Sequence, residues 1–220
     1  MIEDPPLLTV RRNFPRPSAD LVAKLQGKAT GVVVDCMDGR GALHHSVKPV
    51  TPAATSFTGV AVTCHTGPAD NLAVFAAMDI CQPGDVVLIA TDEFFTTAVI
   101  GDLVVGMAAN IGAVGMVTDG AVRDVAGICD TGIACFGAAV TPNSPARNGP
   151  GTAGLPIVCG GQPVSSGDVV VADADGVVIV PQDQLETVTA RLPDVLAAEA
   201  ALEEKVKAGL QMPDFAKDIL

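Results

Sequence analysis

The chain has no tryptophan and no tyrosine, and seven phenylalanines supply every six-membered aromatic ring in its 220 residues. Single-stranded nucleic acid therefore has almost nothing to stack on. Basic residues are scarce too: 13 Lys and Arg against 25 Asp and Glu leave a net charge of −12, which repels phosphate backbones. Nucleic acid is excluded as a direct partner. Long apolar runs are also missing. The longest uncharged one, Leu103 to Thr118, contains three glycines and Asn110, and is too short and too broken to span a bilayer. The N-terminal MIEDPPLLTVRRNFPRP is rich in proline and lacks an apolar stretch of the signal type. A soluble cytoplasmic protein with no membrane partner is expected.

Several motifs are absent as well. There is no CxxC pair, and the cysteines at 36, 64, 81, 129, 135 and 159 are spaced like neither a zinc site nor a disulfide framework. Buried thiols in a reducing compartment are the plain reading. His44, His45 and His65 show no ligand spacing. No GxGxxG follows a strand, and neither GxSxG nor a P-loop occurs. Asp173, Asp175 and Gly176 resemble the opening of a calcium loop but lack its closing glutamate, so a hairpin turn is expected there.

What the chain does have is aliphatic bulk. It is 49% hydrophobic, and the core must be built from Val, Ala, Leu and Ile. Residues 1–17 read as an extended arm. Ser18 can cap a helix running to about Gln26, with Leu21, Val22 and Leu25 on one face. Gly31–Val34, Gly59–Cys64, Asp85–Ala90 and Val114–Thr118 each read as a strand. Helical spacing is present over Asp70–Met78 and Thr97–Asn110. Thr141 to Gly154 is a Pro-, Gly- and Asn-rich loop within the domain, and two Val-rich runs joined by ADADG form a hairpin over 167–181. The main domain is thus expected to cover 18–181. Residues 182–220 form C-terminal helices, which Pro193 divides or kinks. Val195, Leu202 and Val206 mark an apolar stripe there, and Glu199 falls on it. A carboxylate in that position is costly unless it finds a partner.

Two segments could carry chemistry. In TDGAVRDVAG (118–127) a strand ends and Arg123 and Asp124 follow at its mouth, where ligands gather in α/β folds. The guanidinium can grip an oxyanion with paired donors, and the carboxylate can hold a hard divalent cation. The same pair can equally be a surface ion pair. In IGDLVVGMAANIG (100–112), Gly101 admits close backbone approach and the amides of 101–104 open a helix, a natural anion site. Asp102 can serve there as a cap or in proton transfer.

TGVAVTC followed by Asp70-Asn71, PGDVVLIA (83–90), GDLVVGMAANIGAVGMVTDGAVRD (101–124), PVSSGDVVVADADGVVIVP (163–181) and the final helix bearing Glu199 together resemble the RraA-like family. That family includes the divalent-metal aldolases acting on 4-hydroxy-4-methyl-2-oxoglutarate and 4-carboxy-4-hydroxy-2-oxoadipate. The resemblance, running from about Ala29 to Gly209, implies an α/β/β/α sandwich of the swivelling-domain type with a C-terminal helical extension. It implies a homotrimer or homohexamer with its site between subunits. It places the backbone of Gly101, Asp102, Leu103 and Val104 on the pyruvyl end of a 2-oxo acid. It also gives Arg123 the carboxylate and keto oxygen, Asp124 a Mg²⁺ or Mn²⁺ ion, and Glu199, from a neighbouring subunit, a water. The loop often reads GE in this family where Gly101-Asp102 stands here.

The expected activity is retro-aldol cleavage of a 4-hydroxy-2-oxo acid to pyruvate and a second keto acid, with oxaloacetate decarboxylation as a side activity. Asp102 or Glu199 would assist proton removal. Two alternatives stand beside it: a protein-binding regulator like the branch that restrains ribonuclease E, and a family member acting on another keto acid or sugar acid.

Overall fold

The computed structural model describes residues 5–52, 55–217 and 219–220. In chain order its elements begin with β1 (Leu8–Val10), α1 (Ala19–Leu25), α2 (Thr30–Cys36), β2 (Lys48–Pro49), β3 (Phe57–Thr66), α3 (Leu72–Ile80) and β4 (Asp85–Ala90). Next come β5 (Ala98–Ile100), α4 (Asp102–Asn110), β6 (Gly115–Thr118), β7 (Ala121–Val122), α5 (Val125–Asp130), β8 (Ala134–Gly137) and β9 (Ala139–Val140). The last are β10 (Gly151–Ala153), β11 (Ile157–Cys159), β12 (Gln162–Val164), β13 (Val169–Asp173), β14 (Gly176–Val180), α6 (Leu185–Lys207) and α7 (Asp214–Lys217).

Strands β3, β4, β6 and β8 run parallel in that order. Strand β4 is buried along its whole length, and alternate residues feed two cores. Val87 and Ile89 join Val62, Val105, Met116 and Ile128 beneath α3, α4 and α5. Val86, Leu88 and Ala90 face the opposite way and meet Ala61, Phe136, Cys159 and Ile179. There the β13–β14 hairpin, joined to β3 in antiparallel register, forms a second β layer. Its other face, Val169, Val171, Val178 and Val180, packs on α1, α2 and α6 through Leu25, Val33, Leu185, Val188 and Leu192. The order helix, sheet, hairpin, helix is the α/β/β/α sandwich expected.

The main strands, the 167–181 hairpin and the Ser18 cap lie where the sequence pattern puts them; Ser18 Oγ accepts from Leu21 N. Four cysteines are buried, and burial pushes the Cys135 thiol up to about 12. Other expectations are corrected. The Gly31–Val34 run is not a strand but the middle of α2. Its preceding residue, Ala29, cannot cap a helix, so the cap comes from far along the chain. The Asp173 carboxylate accepts from both Thr30 N and Thr30 Oγ1 at 2.8 Å. Tertiary capping and burial of Val32, Val33 and Cys36 override the β propensity of the valines. The helix expected over 97–110 begins only at Asp102, because Ala98–Ile100 is taken up as a strand beside β7. Pro193 does not divide the tail: α6 is one helix of 23 residues, with Pro193 on its exposed side.

The arm also pairs. Strand β1 runs parallel to β10, which closes the 141–154 loop, and Arg16 grips Asp85 with two bonds of 2.7 and 2.8 Å.

Candidate active site

Strands β5 and β7 lie side by side and parallel, and each delivers the start of a helix at the same end. The turn leading into β7 is fixed by Asp119. This buried carboxylate accepts from Thr91 N at 2.7 Å and Thr91 Oγ1 at 3.0 Å, joining the ends of β4 and β6. Burial pushes its carboxyl up, and those hydrogen bonds oppose the rise. Arg123 N then donates to Ile100 O at 3.1 Å, so Gly101 faces Arg123 and Asp124 directly. A Cβ on Gly101 would stand 2.7 Å from Asp124 Oδ2 and 3.0 Å from Arg123 Cγ. Glycine here is a matter of space, since its backbone is ordinary extended chain.

Asp124 occupies the cap position of α5 in the left-handed region, φ 56°, which aspartate tolerates better than most residues. Its carboxylate makes no capping bond; Oδ2 lies 3.1 Å from Arg123 Nε, and the side chain is 44% exposed. Asp102 is the first helical residue of α4. Its Oδ1 accepts from Leu103 N at 2.7 Å, and Oδ2 lies against Gly127, where a Cβ would come within 2.6 Å. Two amides at this helix start are therefore already engaged, because Val104 N donates to Gly101 O at 3.1 Å.

The opposite wall of the cleft comes from Asn71 and the 141–154 loop. Arg123, Gly101 and Asp102 share a cavity of about 250 Å³ with Asn71, Ser144, Pro145 and Arg147. Arg123 Nη1 donates to Ser144 Oγ. Asn71 is 2% exposed; its Nδ2 donates to Val99 O at 3.1 Å, while its Oδ1 has no partner. A buried acceptor left open in a pocket wall suits a donor on a ligand. Ser144 and Arg147 lie in the TPNSPARN stretch, where Pro and Asn signalled a loop and nothing in the spacing signalled chemistry. The Asp70-Asn71 pair was the one hint.

Gly101, Asp102, Leu103, Val104 and Arg123 thus come together around one cleft with Asp124 beside it. Glu199 does not join them within the chain. It is exposed on α6, and its stripe neighbours Leu202 and Val206 are 49% and 55% exposed. Among the described residues no cluster of three or more His, Cys, Asp or Glu side chains could hold a metal ion. Asp124 would bind a cation as a single carboxylate with Asp102 nearby. Such an oxygen-only donor set fits a hard cation that keeps most of its waters, and does not fit zinc. A separate cavity of about 640 Å³ lies at the other end of the parallel strands. Its charged lining is Lys28 and Asp173, and Asp173 is committed to Thr30. No described helix is long and apolar enough to cross a membrane.

Residues 30–179 match the family model RraA-like, described as Aldolase/RraA. A Halalkalibacterium halodurans protein, provisionally named a 4-hydroxy-4-methyl-2-oxoglutarate aldolase, is 34% identical over 187 residues, 85% of this chain and 89% of its own length. Among solved structures, an uncharacterized protein of Pseudomonas syringae pv. tomato shares the fold at TM-score 0.78 and 21% identity, covering 90% of this chain and 97% of that one. A Streptomyces coelicolor protein, described as an unusual member of the RraA family of RNase ES inhibitors, superposes at TM-score 0.73. It is 25% identical, with 86% of this chain and all of that one covered.

Proposed function

Because the chain belongs to the RraA-like family, we propose that it is a divalent-metal-dependent lyase cleaving a 4-hydroxy-2-oxo acid to pyruvate and a second keto acid. Substrates of the 4-hydroxy-4-methyl-2-oxoglutarate or 4-carboxy-4-hydroxy-2-oxoadipate type fit, with oxaloacetate decarboxylation alongside. The observation that carries this reading is the joint placement of Arg123 and Asp124 against Gly101, a cation and an uncapped carboxylate meeting where no side chain intervenes.

In this reading Arg123 grips the substrate's carboxylate and faces its keto oxygen, with Ser144 holding the guanidinium in place. Asp124 would hold Mg²⁺ or Mn²⁺, which when bound supplies a Lewis acid. The opening of α4, Gly101 to Val104, receives the pyruvyl end. For Leu103 to offer its amide there, Asp102 must release it, and that release frees the Asp102 carboxylate for proton work. Asp102, or Glu199 brought by a neighbouring subunit of a homotrimer or homohexamer, takes the C4 hydroxyl proton through a water. The C3–C4 bond then breaks, and its electrons collect in the pyruvate enolate, whose oxygen Arg123 stabilises.

The test is pyruvate release from oxaloacetate and from 4-hydroxy-4-methyl-2-oxoglutarate, with EDTA and then with added Mg²⁺. Release that EDTA removes and Mg²⁺ restores is expected; no release from either by folded, metal-loaded protein overturns the reading. The RNase ES inhibitor likeness supports a second reading, a protein-binding regulator. Capture of a ribonuclease by a protein that turns over neither acid is the result that would favour it.

A further inference from the structure

Asp70 is 5% exposed and lies outside the cleft, yet its carboxylate is spent on the chain that forms the cleft's far wall. Oδ1 accepts from Leu72 N at 2.8 Å at the start of α3. Oδ2 accepts from Asn148 N and, at 3.1 Å, from Gly149 N. The backbone on either side is laced to the same loop: Ala146 N donates to Ala69 O at 2.7 Å and Asn71 N to Ala146 O at 3.0 Å. Two residues upstream of Ala146, Ser144 Oγ receives the Arg123 guanidinium. An unbroken path thus runs from the Asp70 carboxylate through residues 149–144 to the Arg123 side chain. Asp70 and Arg123 are joined by no direct bond among the described residues.

We propose that Asp70 is a positioning residue: it clamps the Ser144–Arg147 wall against the Gly101 wall and through Ser144 sets the direction of Arg123. The idea rests on the lyase reading for its kinetic consequences and on the hydrogen bonds above for the clamp itself. A carboxylate suits the task because it has two acceptor oxygens, one for the α3 amide and one for the loop amides. Asparagine has a single acceptor. With its oxygen on Leu72 N it would turn its NH₂ toward two N–H donors, releasing the loop while keeping the helix start.

The experiment compares wild type with Asp70→Asn and Ser144→Ala by three readouts: the rate of tryptic cleavage after Arg147, kcat and KM for pyruvate release, and the thermal midpoint. In Asp70→Asn, cleavage at Arg147 is expected to accelerate about tenfold or more, since a segment opens locally when its bonds are few. KM is expected to rise, with kcat/KM falling on the order of tenfold to a hundredfold. A merely structural defect would lower the active fraction and leave KM unchanged. Ser144→Ala should reproduce the kinetic loss without faster cleavage. Asp70→Asn with wild-type cleavage, or with faster cleavage and wild-type KM, overturns the proposal, as does Ser144→Ala with wild-type kinetics. If wild type itself releases no pyruvate, the lyase reading fails, and cleavage at Arg147 alone then decides the clamp.

Discussion

The wall made by residues 98–124 and the C-terminal half of α6 both present an acid proposed for the same reaction, yet their surroundings are opposite. Strands β5 and β7 are wholly buried, and Asp124 and Asp102 each touch a glycine that leaves no room for a side chain. Glu199 rides on a helix whose first turns bury Leu185, Val188 and Leu192 but whose residues from 197 onward are exposed. One acid pair is held by the chain's own core. The other acid stands on an exposed stretch of helix, and in the proposed site it would come from a neighbouring subunit. Rigidity at the first place and accessibility at the second are what the proposed intersubunit site would require.

The comparison breaks most sharply at Asp124. Asp124→Ala is expected to abolish metal-dependent pyruvate release and to leave the circular dichroism spectrum unchanged, since its carboxylate makes no capping bond, while the thermal midpoint falls by a few degrees because alanine tolerates φ 56° less well. Arg123→Ala should cost about 10²–10³ in kcat, and Arg123→Lys should recover only part of that in steady-state kinetics, because the planar fork is lost. Within α6 the contrast becomes one of stability. Leu192→Ala should cost about 2–5 kcal/mol in chemical denaturation, as a buried leucine does. Leu202→Ala should change monomer stability by no more than about 0.5 kcal/mol, while altering assembly measured by light scattering.

Between those two lies Asp173. Burial raises its carboxyl, but the bonds from Thr30, Asp175 and Gly176 outweigh that and hold it below the usual carboxylate range. A depressed folded value means the stabilisation is present above the ordinary aspartate pKa and is lost as pH falls through it toward the depressed one. Asp173→Asn should therefore be less stable than wild type by about 1–2 kcal/mol near neutral pH, and the two denaturation curves should converge in acid.

The unbroken aliphatic run of β4 and the ADADG turn in the hairpin made the main layers legible in the sequence, because burial of aliphatic residues leaves a local imprint. The GDLV and RD segments were legible for a similar reason, being polar groups next to glycine at strand ends. Helix α2 was not, since TGVVVDC carries a strand's composition and its cap comes from Asp173. Ser144 and Arg147 were not legible either, and Asn71 only as part of the Asp70-Asn71 pair. Their roles come from a loop folded back onto α3 by hydrogen bonds to backbone amides, and backbone partners leave no trace in residue spacing.

The bond between Thr30 and Asp173 also orders events in time. Helix α2 emerges from the ribosome early, yet the carboxylate that satisfies its first amide is 143 residues further on. With seven residues and no cap of its own, α2 is too short to persist in isolation. The first helical layer therefore has to wait for the hairpin. Its valines stay uncovered until the β13–β14 hairpin that packs on them has been made.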